Sequence, residues 1–337
     1  MESKQADIQL FLSNRLENLA DALINQLANS QRSPLASDTI LVQSRGMARW
    51  LNLRIANRTG IQMNTHYLYP RALIDQLTRA VVQKTDPDSV DSFSPNGLFW
   101  QIYKQLPKWA DKKEGYVLRR YLEAESQASR YLRRYQLAVK IAQLMDQLQT
   151  FRPDLLSSWS LEKTASDWKS LVWQSLLFKK REEAFPEILA AFNKRLPTLN
   201  SAPKTWPDRL QIFGISSLPP VYVDLLRKAS TWMPVSLFLT QPSPHYWGDQ
   251  ATRKKQLKAE QDDVINTGHG LIGNLGKQGQ DFLNTLIDTE VFATDESEYF
   301  TLPDSTNLLG ALQKDIYDLN TPPDSKLPIK NVEGIQV

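Results

Sequence analysis

The segment ILVQSRGMARWL, Ile40 to Leu51, constrains the chain more than any other. Its first residues lie in DTILVQS, a short apolar run without polar alternation. Such runs are buried on both faces, and that places them in parallel sheets whose crossovers are helices. RGMARWLNLRIANRTG follows as a helix, closed by Gly60 at its C-cap position. Upstream, DIQLFLSNRLENLADALINQLA gives a strand near Ile8–Leu12 and then a helix. Asn14 and Glu17 have capping-box spacing, and Leu16, Leu19, Ala20 and Leu23 form the apolar face. IQMNTHYL supplies a third strand. Strand–helix–strand–helix–strand over the first 70 residues predicts a parallel α/β sheet.

The period then changes. From Pro70, which suits a first helical position, to about Ala202 the pattern is almost all helical. RYLRRYQLAVKIAQLMDQLQTF puts Leu137, Ile141, Leu144, Met145 and Leu148 on one face. KTDPDSVDSFSPNG reads as a polar loop within this block. Strands return in DRLQIFGIS and MPVSLFLT, joined by the proline turn SSLPP and a helix through Val221–Ser230. A polar stretch runs on to about Gln278, and helices are expected around Phe282–Ile287 and Leu308–Leu319. The expected organisation is an α/β part in residues 1–69, a helical insertion in 70–204, and the rest of the α/β domain with a polar loop in 205–337. The C-terminal LPIKNVEGIQV starts a strand-like alternation that nothing follows, so the chain is expected to be the N-terminal piece of a longer protein.

With 337 residues, 41% hydrophobic and 23% charged, the chain is globular. A net charge of +3 excludes a histone-like cationic surface but allows a local basic groove. The absence of cysteine excludes disulfides and thiolate metal sites and favours a cytoplasmic location. The N-terminus has no signal-peptide core, and no run is long enough to span a membrane. The three histidines, His66, His245 and His269, are too dispersed in sequence for a histidine metal centre.

Catalytic patterns are missing where they would be expected. A nucleotide-binding turn after the first strand would read GxxxxGK[ST], because glycines let backbone N–H groups wrap the phosphates and the lysine meets the terminal ones. Here it is Ser13-Asn14-Arg15. VFATDE, Val291–Glu296, is a broken Walker-B-like string, and QDDVIN and DTEVFATDESEYF lack a metal-ligand pattern; solvated surface explains all three. The basic features carry more. Arg45 and Arg49 lie four apart on one helical face at a strand's carboxyl end, where α/β sheets bind ligands. That face is either solvated or a phosphate grip. Trp50 and Leu53 are expected on or near the opposite face. Tyr67 and Tyr69, at the same sheet edge, read as base-stacking platforms or as core and rim. Arg119, Arg120, Arg130, Arg133 and Arg134, interleaved with tyrosines, suit a single-strand groove only weakly. The scattered tryptophans read mostly as core or interface, and PHYWGD as a structural corner.

SNRLENLADAL, ILVQSRGMARWL, FRPDLLSSW, IFGISSLPPVY, HYWGD and NLLGALQKDIYDL occur in this order. Together, from about Ile8 onward, the chain resembles the N-terminal part of RecC, the gamma-subunit family of exodeoxyribonuclease V. The resemblance implies a RecA-like parallel sheet of a superfamily 1 helicase-like domain that has lost its ATPase motifs and is interrupted by a large helical insertion. It implies a non-catalytic subunit that binds DNA, holds RecB-like and RecD-like subunits, helps split the duplex, and channels the 3′-ended strand during double-strand break repair by homologous recombination. It further implies scanning of that strand for Chi. No cofactor is implied in this chain; ATP and Mg belong to the partner subunits. The family's Chi-contact positions fall on Gln43, Arg45, Arg49, Tyr69, Asp75, Gln143, Leu144, Asp146, Arg152 and Arg181. Gln43, Leu144, Asp146 and Arg152 match the family pattern. Arg45 and Arg49 replace uncharged polar residues, Tyr69 an apolar residue, Asp75 a tryptophan, and Gln143 an acid. Asp146 and Arg152 are implied as an ion-pair latch. Changed base-contact residues imply a changed readout. The alternatives are an independent ATP-dependent DNA motor or nuclease, and a protein scaffold whose basic faces are merely solvated.

Overall fold

A computed structural model of the chain describes residues 8–28, 36–82, 92–123, 126–178, 180–250, 269–291 and 299–320. The chain divides into two compact units, one of Met1–Ile74 with Trp206–Val337 and one of Asp75–Thr205.

The first unit is built on five parallel strands: β1 (Ile8–Ser13), β2 (Asp38–Val42), β3 (Thr65–Leu68), β4 (Leu210–Phe213) and β5 (Val235–Thr240). Their spatial order is β1-β5-β4-β2-β3. Apolar runs make these strands because both faces are covered. Ile40, Val42, Phe213 and Phe238 pack against Leu19, Leu23 and Ile24 of α1 (Leu16–Ala28) and Leu51 and Ile55 of α2 (Arg45–Thr59). Leu10, Leu41, Ile212 and Leu237, which alternate with them, are buried as well. The ring of Phe11 stacks on Phe238 with centroids 4.6 Å apart, which ties β1 to β5 across the sheet. α10 (Pro220–Ser230) joins β4 to β5, and among the described residues three further helices follow: Gly270–Leu275, Lys277–Asp288 and Leu308–Tyr317. The first of these interrupts the stretch read from sequence as polar.

The connections of this sheet diverge at one place. β2 and β4 are hydrogen-bonded neighbours, with Val42 opposite Phe213. From β2 the chain moves outward to β3; from β4 it moves the other way, to β5. Side-by-side strands whose crossovers part in this way leave a crevice at their carboxyl ends. Gln43 and Gly214 are the residues that follow the two strands at that crevice.

The second unit is helical. Its elements are the later turns of α3 (Pro70–Val82), then α4 (Pro95–Ala110), α5 (Tyr116–Leu122), α6 (Gln127–Phe151), α7 (Pro153–Leu161), α8 (Trp168–Leu177) and α9 (Phe185–Arg195). Leu98, Ile102 and Leu106 of α4, Ile141 and Met145 of α6, and Trp173 of α8 share its core. The expected face of α6 is present, with Leu137 and Leu148 packed at the margin of that core.

Two local expectations are corrected. The third strand begins only at Thr65, because Asn64 takes a left-handed φ of 54°; Ile61 and Met63 before it are 66% and 54% exposed. Asn14 and Glu17 form no capping box: the Asn14 side chain pairs with Thr301 instead. KTDPDSVDSFSPNG lies mostly outside the described residues, as do QDDVIN, nearly all of VFATDE, and LPIKNVEGIQV.

Gly214 turns the chain out of β4 with a φ of 63°, and a Cβ there would lie 3.0 Å from Met47 Cε of α2. Gly214→Ala is expected to lower the unfolding free energy by about 1–2 kcal/mol from left-handed strain alone. Urea denaturation followed by circular dichroism measures this. A wild-type midpoint would mean that the turn relaxes at no cost.

Candidate nucleic-acid interface

At the carboxyl edge of the sheet, the strand–turn–helix junctions after β1 and β2 are built differently. At the first, after β1, the Ser13 hydroxyl is fully buried and donates to the Tyr299 carbonyl. It also accepts from the Arg15 N–H at 3.0 Å. The Asn14 amide donates to the Thr301 carbonyl at 2.7 Å and accepts from the Thr301 N–H at 2.9 Å. Asn18 donates to the Tyr299 carbonyl and the Thr301 hydroxyl, both at 2.8 Å. The Tyr299 ring packs edge-on against Phe11 at 5.8 Å. The polar groups of this turn are therefore taken up by the chain's own segment Tyr299–Thr301. A cavity of about 480 Å³ remains beside it, where Arg15 is accompanied by Glu17, Thr240 and Gln313. This lining lacks the array of glycine N–H groups that holds a triphosphate.

The second junction, after β2, is open. Ser44 caps α2 by accepting from the Met47 N–H at 3.2 Å. Gln43 is exposed, and its amide reaches the Ser216 hydroxyl, beyond β4, at 3.4 Å across the crevice. Arg45 and Arg49 are exposed, and among the described residues neither guanidinium has a side-chain partner. The other two arginines of α2 are committed. Arg54 and Arg58 both pair with Asp21 of α1, at 3.1 and 2.9 Å. Such half-exposed pairs contribute at most about 1 kcal/mol each, but they mark that face as structural. Trp50 lies over Phe213, with ring centroids 6.1 Å apart. Leu53 does not join it. One turn beyond Arg49 on the arginine side, it is 55% exposed, because Leu51 and Ile55 take the buried face.

The tyrosines of this edge separate. Tyr67 packs against the sheet core, and burial raises its phenol to about 12, with a hydrogen bond from Gln62 acting the other way. That leaves it a rim residue. Tyr69, level with Val42 by the strand register, is exposed just before Pro70 opens α3.

The other expected contact residues lie in the helical unit. Asp75 is half-buried on α3; Gln143 is exposed on α6, with Leu144 and Asp146 half-buried beside it. Arg152 ends α6 and grips Asp154 in a two-pronged pair at 3.1 Å. The Asp146–Arg152 latch is therefore absent from this structure: a carboxylate two residues away, in the first turn of α7, captures the guanidinium first. This pairing raises the Arg152 value and holds the Asp154 carboxyl below the usual range. Arg181 pairs with Glu187 at 2.8 Å. Three arginines of the tyrosine-rich segment act as clamps: Arg119 on the Ala110 carbonyl, Arg133 on the Tyr121 and Glu123 carbonyls, and Arg134 on the Tyr103 carbonyl.

HYWGD forms a packed corner. Trp247 is buried and donates to Gln241 at 2.6 Å. A Cβ on Gly276 or Gly279 would come within 2.9 or 2.8 Å of its ring. His269 is buried too, and burial lowers its imidazole below the ordinary value. Among the described residues no three His, Asp or Glu side chains group as metal ligands, and no helix is long and apolar enough to cross a membrane. Sequence reasoning missed the role of Tyr299–Thr301, which lies in a polar stretch with no periodicity to signal a long-range partner.

Comparison with known proteins gives one result. The profile of a family described as RecC, N-terminal domain, matches residues 8–319. The RecBCD enzyme subunit RecC of Escherichia coli K12 is 28% identical over 93% of this chain and 31% of its own length. Its namesake in Haemophilus influenzae is 27% identical over 93% of this chain and 33% of its own length. That of Mycolicibacterium smegmatis is 31% identical, over 92% and 28%. The chain thus spans about a third of the length of the relatives it matches.

Asn14→Ala would strip both partners from the Thr301 backbone. The expected cost is about 1–3 kcal/mol, that of leaving buried polar groups unpaired. Amide exchange at Thr301 should accelerate while exchange within β2 and β4 stays at wild-type rates. Unchanged exchange at Thr301 would show that other contacts hold the segment.

Proposed function

The chain belongs to the RecC N-terminal domain family, and we propose that it is a non-catalytic DNA-gripping and scaffolding part of a RecBCD-type helicase–nuclease. The observation that carries this reading is the contrast between the two junctions. The turn where a motor of this architecture would hold its nucleotide is occupied by Tyr299–Thr301. The turn beside it, at the β2–β4 crevice, presents Arg45 and Arg49 without side-chain partners among the described residues.

On this reading the sheet is a superfamily 1 helicase-like, RecA-like scaffold whose ligand has changed from a nucleotide to a nucleic-acid strand. The parallel order and the crevice at the strands' carboxyl ends support it. Arg45 and Arg49 hold phosphates through bidentate, charge-assisted bonds. Gln43 sits beside them with both an amide donor and an acceptor, the set that reads an adenine edge. Tyr69 offers an exposed ring at the same edge. In the helical unit, Asp75, Gln143, Leu144, Asp146, Arg152 and Arg181 form a further set of nucleic-acid contacts. Because arginines stand at two contact positions, the signal read differs from Chi as other members read it, or the arginines grip phosphate only. The partners are DNA and RecB-like and RecD-like subunits; ATP and Mg act in those subunits.

A labelled single strand titrated at two salt concentrations tests the reading. Each phosphate contact on a single strand contributes about 0.7 to the slope of log affinity against log salt. Arg45→Ala/Arg49→Ala should therefore weaken binding and flatten that slope by about 1.4. Binding that is indifferent to both changes would leave a protein scaffold with a solvated basic face.

A further inference from the structure

Nine tryptophans occur in the chain, and eight are buried or half-buried; Trp100 is 59% exposed. It stands on α4 facing a pocket of about 360 Å³ between α4 and α6. Tyr135 of α6, 54% exposed, forms the opposite wall. Phe99 lies between them, edge-on to Trp100 at 4.9 Å and to Tyr135 at 5.3 Å. Three rings that brace one another at steep angles keep their places without a ligand, so a flat guest meets a surface already in position. The amides of Asn96 and Gln143 complete the lining, and both residues are exposed.

The charge of the two helices around this pocket is predominantly positive. α4 carries Lys104 and Lys108 and no acidic residue; α6 carries Arg130, Arg133, Arg134 and Lys140 against a single acid, Asp146, three residues beyond Gln143. Lys104 follows Trp100 by one helical turn, and Lys140 precedes Gln143 by three residues, so both share the pocket's side of their helices. Arg134 lies over the Tyr103 ring at 4.2 Å and strengthens this positive field beside the aromatic wall.

We propose that this pocket is a base-stacking subsite, taking one unpaired nucleobase of a single strand against Trp100 and Tyr135, with the amides of Asn96 and Gln143 at the base edge. A volume at the small end of ligand sites admits a single base and excludes a duplex. Every base has a π-face, so stacking makes the subsite tolerant of sequence, and the two rim amides supply what selectivity it has. Aromatic grooves also take proline-rich peptides. The excess of basic over acidic side chains on α4 and α6, six to one, favours the polyanion instead. The inference rests on the proposed DNA-binding function and adds to it residues that none of the expected contact positions includes, apart from Gln143.

The test uses the whole chain and a single strand carrying one 2-aminopurine, whose emission is quenched on stacking. Wild type should bind with quenching. Trp100→Ala should weaken binding about five- to 150-fold, the range for loss of one base stack, and abolish the quench. Tyr135→Ala should act in the same direction, and Trp100→Phe should keep most of both signals. Both side chains are mostly exposed, so the melting temperature of the variants should stay at the wild-type value. Wild-type binding matched by Trp100→Ala would overturn the subsite and leave the proposed function standing. No binding by wild type would overturn both. Displacement of the strand by a proline-rich peptide, with recovery of the emission, would assign the pocket to a peptide and overturn the subsite.

Discussion

The pairing of β2 with β4 is the constraint on which the sheet unit depends. These strands are separated in sequence by the whole helical unit, yet they lie in register from Thr39 against Leu210 to Val42 against Phe213. Closing so long a connection costs little more than closing a short one, because loop entropy grows only with the logarithm of length. The helical unit has its own buried core, which includes the fully buried Trp173. Once β2 and β4 are neighbours, their connections must part, and the crevice at their carboxyl ends follows. Gly214 turns out of one strand with Met47 of α2 packed against it, and Ser44 caps the helix that leaves the other.

The two junctions of that edge show how one architecture supports different chemistry. A strand followed by a helix always brings backbone N–H groups to the carboxyl edge. What they meet depends on a few side chains. After β1, a buried serine and two asparagines recruit a distant stretch of the same chain, which fills the turn. After β2, the helix opens with arginines, and among the described residues Arg54 and Arg58 are tied down on the side facing α1. The proposed shift from nucleotide to strand thus needs no new fold. It needs loss of a glycine-rich turn at one junction and gain of exposed arginines, without side-chain partners among the described residues, at the other.

Much of this was legible in the sequence, for identifiable reasons. Short apolar runs located β1, β2, β4 and β5, because strands buried on both faces cannot afford polar alternation. Gly60 and Pro70 marked helix boundaries through backbone restrictions that act locally. The failures share a different cause. Asn14 looked like a helix cap because its true partner, Thr301, lies far along the chain. Arg152 looked available to Asp146 because nothing in the spacing shows that Asp154 reaches it first. Leu53 was expected on or near the face opposite the arginines, but Leu51 and Ile55 take the buried face of α2 and leave it exposed. Trp100 was one of nine tryptophans read together as core or interface, and its exposure beside Tyr135 set it apart. Local signals fix the elements, while long-range partners decide which side chains remain free for a ligand.

The central claim is that the ligand-gripping edge of this sheet is the β2–β4 crevice and not the turn after β1. Mass-spectrometric mapping of photo-crosslinks from a bound single strand addresses it most directly. The account predicts crosslinks in the sheet unit to peptides bearing Gln43 to Arg49 and Tyr69, with none from Ser13 to Asn18. Crosslinks concentrated on Ser13 to Asn18, with the α2 peptides untouched, would contradict it.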